Sequence, residues 1–312
     1  MARILAIGGA HIDRKGWLAR PHRAGASNPG HWETEAGGGV FNAARNLARL
    51  GHEVSLVAPR GGDQAAAVVA AAAADAGVED CPLTFLDRAT PSYSAILEPD
   101  GNLVTALADM ALYDQVPGRR LLTSRLRRRL AGSDLLLVDS NLPESALILL
   151  AETAADLGLA LAVIAVSPAK VVRWRSVLSR ITCLAMNVAE AAALTGEGSD
   201  QPGGWPWHLA AAGLAGGLIS AGAGPVSAYA GGQSAVCLPP RLEDLADVTG
   251  AGDALASGYL DGWLAGGSIE ANLTRGIALA QLTTAVRGPV RPDLSPALLA
   301  QAVAGMPKPV HT

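Results

Sequence analysis

The amino-acid sequence predicts an α/β fold: a mostly parallel central sheet with helices on both faces. Short apolar runs alternate with helix-period stretches along most of the 312 residues, the pattern of successive strand–helix–strand units. Several of the helical stretches stop at a glycine, as helix C-termini commonly do. Half of the residues are apolar, enough for one large core, in a single domain or a domain with a small appendage.

Ile4–Ile7 is a short apolar run and reads as the first buried strand. Gly8-Gly9-Ala10-His11-Ile12-Asp13 follows at its carboxyl end, where open α/β sheets bind their ligands. Asp13 can accept two hydroxyl hydrogen bonds, which suits a vicinal diol; a solvated loop aspartate is the alternative. His11 reads as a pocket wall or satisfied polar residue rather than a metal ligand, because no second histidine is suitably spaced. Residues 14–36, rich in Gly, Pro, His and Trp, show no helical period and break the alternation. Gly37-Gly38-Gly39-Val40-Phe41-Asn42 then opens a helix, Phe41–Leu50, that ends at Gly51. The glycine run is either a close backbone approach to a ligand or a structural turn.

Val54–Val57 is the next strand, and Gln64–Ala76 a helix stopped by Gly77. Its alanine run, Ala65 to Ala74, is too short to cross a bilayer. Residues 91–107 read as a hairpin with Glu98-Pro99-Asp100-Gly101-Asn102 at its turn. From Arg119 to Arg129 the chain is basic, and Leu122, Leu126 and Leu130 recur every fourth residue. That spacing predicts an amphipathic helix with a solvated basic face rather than a nucleic-acid surface. Leu135–Val138, Leu161–Val166, Ile181–Met186 and Leu218–Ser220 read as strands; Glu144–Asp156, Val188–Leu194 and Trp207–Leu214 read as helices.

The net charge of −4 suggests no polyanionic partner, and no segment reads as a membrane span. Cys81, Cys183 and Cys237 are far apart and match no metal-ligand spacing, so free thiols in a reducing cytoplasm are expected. Ile4–Ile7 is too short for a signal peptide and soon meets Asp13, Arg14 and Lys15. A soluble, cytoplasmic protein is the expectation.

Asp247-Val248-Thr249-Gly250-Ala251-Gly252-Asp253 carries the most chemistry, because it runs into a helix, Ala254 to Leu260. First-turn N–H groups of a helix lack intrahelical acceptors, and the macrodipole adds positive charge there. Glycines let backbone approach closely, so such a turn can seat a phosphate. A carboxylate beside a phosphate is repelled by it, so Asp253 is better explained as a base taking a proton from an attacking hydroxyl. The alternative is a glycine-rich turn with an aspartate that caps the helix, stabilising it by about 1 kcal/mol. Gly222-Ala223-Gly224 follows a strand but is no dinucleotide fingerprint, since Pro225 and Val226 come next. No Gly-x-x-x-x-Gly-Lys-Ser/Thr stretch occurs, which excludes a P-loop.

Asp247 to Asp253 resembles the C-terminal motif of the PfkB (ribokinase-like) family of sugar and nucleoside kinases. Gly38-Gly39 with Asn42, and a helix ending in Leu50-Gly51, resemble the family's first signature; Asn187-Val188-Ala189-Glu190 resembles its Asn-x-x-Glu motif. The resemblance covers about residues 4 to 300 and implies a single ribokinase-like kinase domain over residues 1–312. Residues 14–36 and 91–107 would supply a small β-sheet lid. It implies ATP and Mg²⁺ as cofactors, Asp253 as catalytic base, and Gly250, Ala251 and Gly252 as anion hole. His11, Asp13, Gly38, Gly39, Asn42 and Asn141 would face the acceptor. Asn187, Glu190, Gly222, Gly224, Thr249 and Gly252 would face the nucleotide, with Glu190 placing Mg²⁺ through water. A K⁺ requirement and a homodimer through the lid are traits of some members.

Within the family, Gly9 to Asp13, Ser27-Asn28-Pro29-Gly30, Ala108-Asp109-Met110 and Asp139-Ser140-Asn141 resemble bacterial pseudouridine kinases. Phosphorylation of a nucleoside 5′-hydroxyl, with pseudouridine first, is the implied activity. Three departures bear on it. Phe41, after Val40, stands where an arginine is usual, which would remove a polar group near the sugar or lid. Ile164 replaces an aspartate in Ile164-Ala165-Val166-Ser167, and Ala185 replaces a lysine. A kinase for another nucleoside or sugar, and a decayed nucleoside-binding sensor, remain as alternatives.

Overall fold

A ten-stranded sheet crosses the molecule in the computed structural model, which describes residues 1–116, 118–198, 204–242 and 245–311. From one edge the parallel strands are Glu79–Asp80, Glu53–Val57, Arg3–Ile7, Leu135–Asp139, Ala160–Ile164, Cys183–Asn187 and Gly216–Ser220. Val226–Ala230, Gln233–Cys237 and Val310–His311 continue it antiparallel. Because successive side chains point to opposite faces, Ile4, Ala6, Leu135 and Leu137 enter one core while Leu5, Ile7, Leu136 and Val138 enter the other. Both faces are covered, so these strands read as unbroken apolar runs.

Helix Gly39–Arg49 covers the first face through Phe41, Ala44 and Leu47, together with Leu255 and Tyr259 of helix Ala251–Leu264. On the second face, Leu147 and Leu150 of helix Glu144–Asp156 pack with Trp174 and Trp205. The carboxyl ends of Arg3–Ile7, Leu135–Asp139 and Ala160–Ile164 open toward a separate four-stranded sheet. That sheet has the order Gly30–Gly37, His11–Leu18, Ser92–Leu97, Leu103–Asp109. Strands therefore fill most of the segments that break the alternation. Asp13 lies on a strand of this small sheet and not in a solvated loop.

The expected strands and helices appear with shifted ends, and each larger shift has a local cause. Leu161–Val166 stops at Ile164 because Val166 turns to φ 70°, bracketed by a Ser167 N–H to Ala165 carbonyl bond of 2.9 Å. The arginine-rich helix is two pieces, Gly118–Leu121 and Ser124–Ala131. Thr123 interrupts it by capping the second piece, its hydroxyl accepting from Leu126 N–H at 3.2 Å. Leu126 and Leu130 are buried, whereas Leu122 falls between the pieces; the side chains of Arg119 and Arg120 lie outside the described residues. The antiparallel edge and helices Ile269–Thr284 and Pro296–Ala304 had no counterpart in the sequence reading.

Cys81, Cys183 and Cys237 are free, and among the described residues no helix is long and apolar enough to cross a membrane. Leu47 is fully buried between helix and sheet. Leu47→Ala should lower the unfolding free energy by about 2–5 kcal/mol in urea titration, with the denaturant slope unchanged.

Candidate active site

The Asp139 carboxylate, fully buried at the carboxyl end of its strand, gathers three chain segments. Oδ2 accepts from Gly9 N–H at 3.0 Å, Val40 N–H at 3.2 Å and the Asn141 amide at 2.9 Å; Oδ1 accepts from Asn141 N–H at 3.0 Å. The turns after the first strand and before helix Gly39–Arg49 are thereby drawn onto one side chain. Their glycines follow from that crowding. A Cβ at Gly38, where φ is 121°, would strike the Gly9 carbonyl, and one at Gly9 would strike Asn141. Lys170 Nζ donates to Asn141 Oδ1 at 2.6 Å, with burial holding its pKa below the ordinary lysine value.

Asp253 lies in the first turn of helix Ala251–Leu264, which Gly250 opens in the left-handed conformation at φ 77°. Gly250 admits no side chain there, because a Cβ would collide with Pro289 backbone. Ala251 N–H is turned onto the Val248 carbonyl at 3.2 Å, while Gly252 and Asp253 N–H have no acceptor among the described residues. Open space surrounds the position where a Gly252 Cβ would stand. Two free N–H groups at a helix N-terminus, with room before them, make an anion seat.

Asn42 Nδ2 donates to Asp253 Oδ2 at 2.7 Å. Burial is the largest influence on Asp253 and, with repulsion from Asp139 and Asp13, pushes its pKa up to about 7, against the Asn42 bond and Arg45. Gly39 is close too: a Cβ there would lie 3.4 Å from Asp253 Oδ1 and 3.2 Å from Ile164. His11 accepts or donates at Tyr113 Oη at 3.1 Å, and its Nε2 is 3.3 Å from Asp13 Oδ1, so both its ring nitrogens have partners.

On the far side of Asp253, a cavity of about 150 Å³ is lined by Ile164, Val166, Ala185, Asn187, Glu190 and Gly252. Asn187 and Glu190 form a reciprocal helix cap: Glu190 N–H donates to Asn187 Oδ1 at 2.9 Å, and Asn187 N–H to Glu190 Oε2 at 2.7 Å. The helix-cap role is thus real, and Glu190, which commits Oε2 to it, also lines the cavity. Burial raises the Glu190 pKa, opposed by the Asn187 N–H. Among the described residues no three His, Cys, Asp or Glu cluster as a metal cage. One carboxylate suits an ion carried chiefly by phosphates and water, as Mg²⁺ usually is.

Thr249 turns the other way. Its N–H and hydroxyl donate to Asp247 Oδ1 at 2.9 and 2.7 Å, and Lys15 Nζ reaches its hydroxyl at 3.3 Å. The same ammonium is 3.2 Å from Asp247 and 3.1 Å from Glu35. Burial works against the charge on Lys15, but Glu35 and Asp247 outweigh it and hold its pKa above the ordinary value. Gly222 and Gly224 sit on the hairpin turn after Ser220, which itself lines the cavity.

Glu190, Gly252 and Asp253 line one cavity, Gly39 and Asn42 adjoin Asp253, Asp13 lies against Gly37 and Asn141 is bonded to Asp139, while Thr249 lines a separate cavity with Lys15 and Glu35. Phe41 is fully buried in the core, so it is not a pocket residue. The guanidinium near the site belongs to Arg45, one turn later, 4.6 Å from the Phe41 ring centre. The sequence assigned no role to Lys15, Arg45 or Lys170, and named Asp139 only as part of Asp139-Ser140-Asn141. Only Asp139 carried a usable signal, as a carboxylate ending an apolar strand.

A family model described as pfkB family carbohydrate kinase matches residues 1–295. The pseudouridine kinase of Escherichia coli (strain K12) is 28% identical over 270 residues, covering 84% of each chain. A carbohydrate kinase structure from Agrobacterium tumefaciens is 50% identical over 100% of both chains, with a TM-score of 0.91. Arabidopsis thaliana ribokinase, solved with ribose and ATP, shares the fold at TM-score 0.85 and 19% identity, over 97% of this chain and 98% of that one.

Whichever oxygen of Asp139 becomes an amide nitrogen, at least one buried N–H then faces a donor. Asp139→Asn should lower stability by about 1–3 kcal/mol in chemical denaturation, with a matching fall in melting temperature.

Proposed function

The chain belongs to the PfkB family of carbohydrate kinases, and from that membership we propose that it transfers the γ-phosphoryl of ATP to the 5′-hydroxyl of a nucleoside, with pseudouridine the first candidate. The observation that carries the reading is Asp253, a carboxylate raised to about 7 beside two free helix-terminal N–H groups. A group titrating near neutral pH is suited to removing a hydroxyl proton, worth roughly 10²–10⁴ in rate. Asp13, Asn42 and Asn141, with His11 and the Gly38-Gly39 turn, would bind the acceptor.

Gly252 and Asp253 N–H, aided by the helix dipole, would stabilise charge on the phosphoryl in transfer, each donor worth roughly 10²–10³. Gly250 and Ala251 would shape that turn, since Ala251 N–H is already engaged. Mg²⁺, when bound, neutralises the nucleotide phosphates; Glu190 would hold it through water, beside Asn187. Gly222, Gly224 and Thr249 would border the nucleotide. The small sheet would exclude water that competes for the phosphoryl group.

The kinship with pseudouridine kinase, together with the Gly9 to Asp13 and Asp139 to Asn141 stretches, supports the nucleoside. A different nucleoside or sugar is the second reading, suggested by the departures at Val40 and Phe41, while Ile164 and Ala185, on the cavity beside Asn187 and Glu190, suggest a sensor instead. Retention of Asp253 speaks against a sensor that binds without turnover.

ADP production with Mg-ATP and K⁺ should be measured against pseudouridine, uridine, adenosine, ribose and fructose. Selective turnover of pseudouridine supports the acceptor; turnover of another compound replaces it. Asp253→Asn should reduce kcat by roughly 10²–10⁴, and full activity in that variant would remove the base assignment. The base must be ionised, so kcat/KM should fall as pH drops through about 7 and level off above it. Asn42→Ala, which removes a bond favouring the carboxylate, should move that limb to higher pH.

A further inference from the structure

Arg45 follows Phe41 by one helical turn, and its side chain leaves the helix toward the site. Its Nη2 donates to the Ala36 carbonyl at 2.9 Å and to Asn42 Oδ1 at 2.6 Å. The same Asn42 amide donates from Nδ2 to Asp253 Oδ2 at 2.7 Å. A guanidinium offers only donors, and an ionised carboxylate only acceptors. An amide held between them has one satisfactory orientation, oxygen toward Arg45 and NH₂ toward Asp253. We propose that Arg45 is a positioning residue, fixing the Asn42 amide so that its NH₂ stays on the Asp253 carboxylate.

The reversed amide would set the lone pairs of Oδ1 against those of the carboxylate, an arrangement compatible only with protonated Asp253. Asn42 alone cannot choose, because its two ends are nearly equal in size. Arg45 chooses for it. The helix Gly39–Arg49 thus contributes a relay of two adjacent groups rather than a single polar contact, and the packed Phe41 ring supports the guanidinium from below.

The charged groups around this relay are Asp13, Glu35, Arg49, Asp139 and Asp253 itself. Burial is the main influence that brings the Arg45 pKa down, to about 10, and Glu35, Asp253 and Asp13 oppose it. Arg45 is charged throughout the neutral range, so the relay responds only to the state of Asp253. A through-space attraction between Arg45 and Asp253 also exists, and the test must separate it from the orienting role. The proposal rests on Asp253 as the base for its functional meaning, but its geometry can be read without turnover.

Protein carrying ¹³C at the aspartate Cγ would be titrated across neutral pH by NMR, the Asp253 signal being identified by its loss in Asp253→Asn. Arg45→Met should raise the Asp253 midpoint by on the order of one pH unit. In an Asn42→Ala background the same substitution should move it little, because the amide through which Arg45 acts is gone. An equal shift in both backgrounds would mean direct charge attraction and would overturn the proposal, as would no shift in either. Arg45→Leu, which likewise removes every donor, runs the same cycle should the methionine variant fold poorly. A midpoint raised only where Asn42 is present again supports orientation, and an unmoved midpoint again sinks it. Loss of ADP production in Asp253→Asn is a separate readout, so a failed base assignment and a failed relay give different results.

Discussion

One buried carboxylate sets the geometry on which the rest of the site depends. Asp139 ends a strand in the middle of the sheet and accepts four hydrogen bonds from the turns that begin after Ile7 and before Val40, and from Asn141. A buried carboxyl group in that position is tolerable only with such saturation, since a buried polar group without partners costs a good fraction of a domain's stability. Satisfying it obliges two glycine turns to pack directly on one another. Helix Gly39–Arg49 consequently starts where its first polar side chain, Asn42, meets the helix that carries Asp253.

The two asparagines of the site are held in the same manner. Asn141 lies between Lys170 and Asp139, and Asn42 between Arg45 and Asp253. In each case a donor-only cation and an acceptor-only anion leave the amide one orientation. The two arrangements differ in burial and in purpose. Asp139 is saturated and remote from solvent, as a structural acceptor should be. Among the described residues Asp253 receives a single side-chain bond, and it lines a cavity, as the proposed base would require.

Legibility in the sequence followed the range of the interactions. Parallel strands buried on both faces show as apolar runs, so Ile4–Ile7, Val54–Val57 and Leu135–Val138 were readable within a residue or so. The antiparallel edge was not, because Val226–Ala230 and Gln233–Cys237 mix Ser, Tyr and Gln with apolar residues and resemble loop. The Asp247–Asp253 stretch was readable because a glycine turn at a helix start declares its chemistry locally. Lys15 was not, since nothing near it in the chain announces Asp247, 232 residues away; Arg45 was not, since its own bonds to Ala36 and Asn42 are local and gain meaning only through the distant Asp253 on Asn42. Phe41 misled for the same reason: its position in a motif suggested a pocket, whereas helix geometry turns it into the core and hands the polar role to the residue one turn on.

Lys15 ties the small sheet to the loop that precedes helix Ala251–Leu264 through Asp247 and Thr249 at once. Any outward swing of the small sheet that parts Lys15 from Asp247 also strips a donor from Thr249 and leaves Glu35 as the sole carboxylate beside the ammonium. The two rims of the cleft are consequently tied by one half-buried ammonium shared among three oxygen-bearing side chains, with the looser Arg287–Glu33 pair of 3.9 Å beside it.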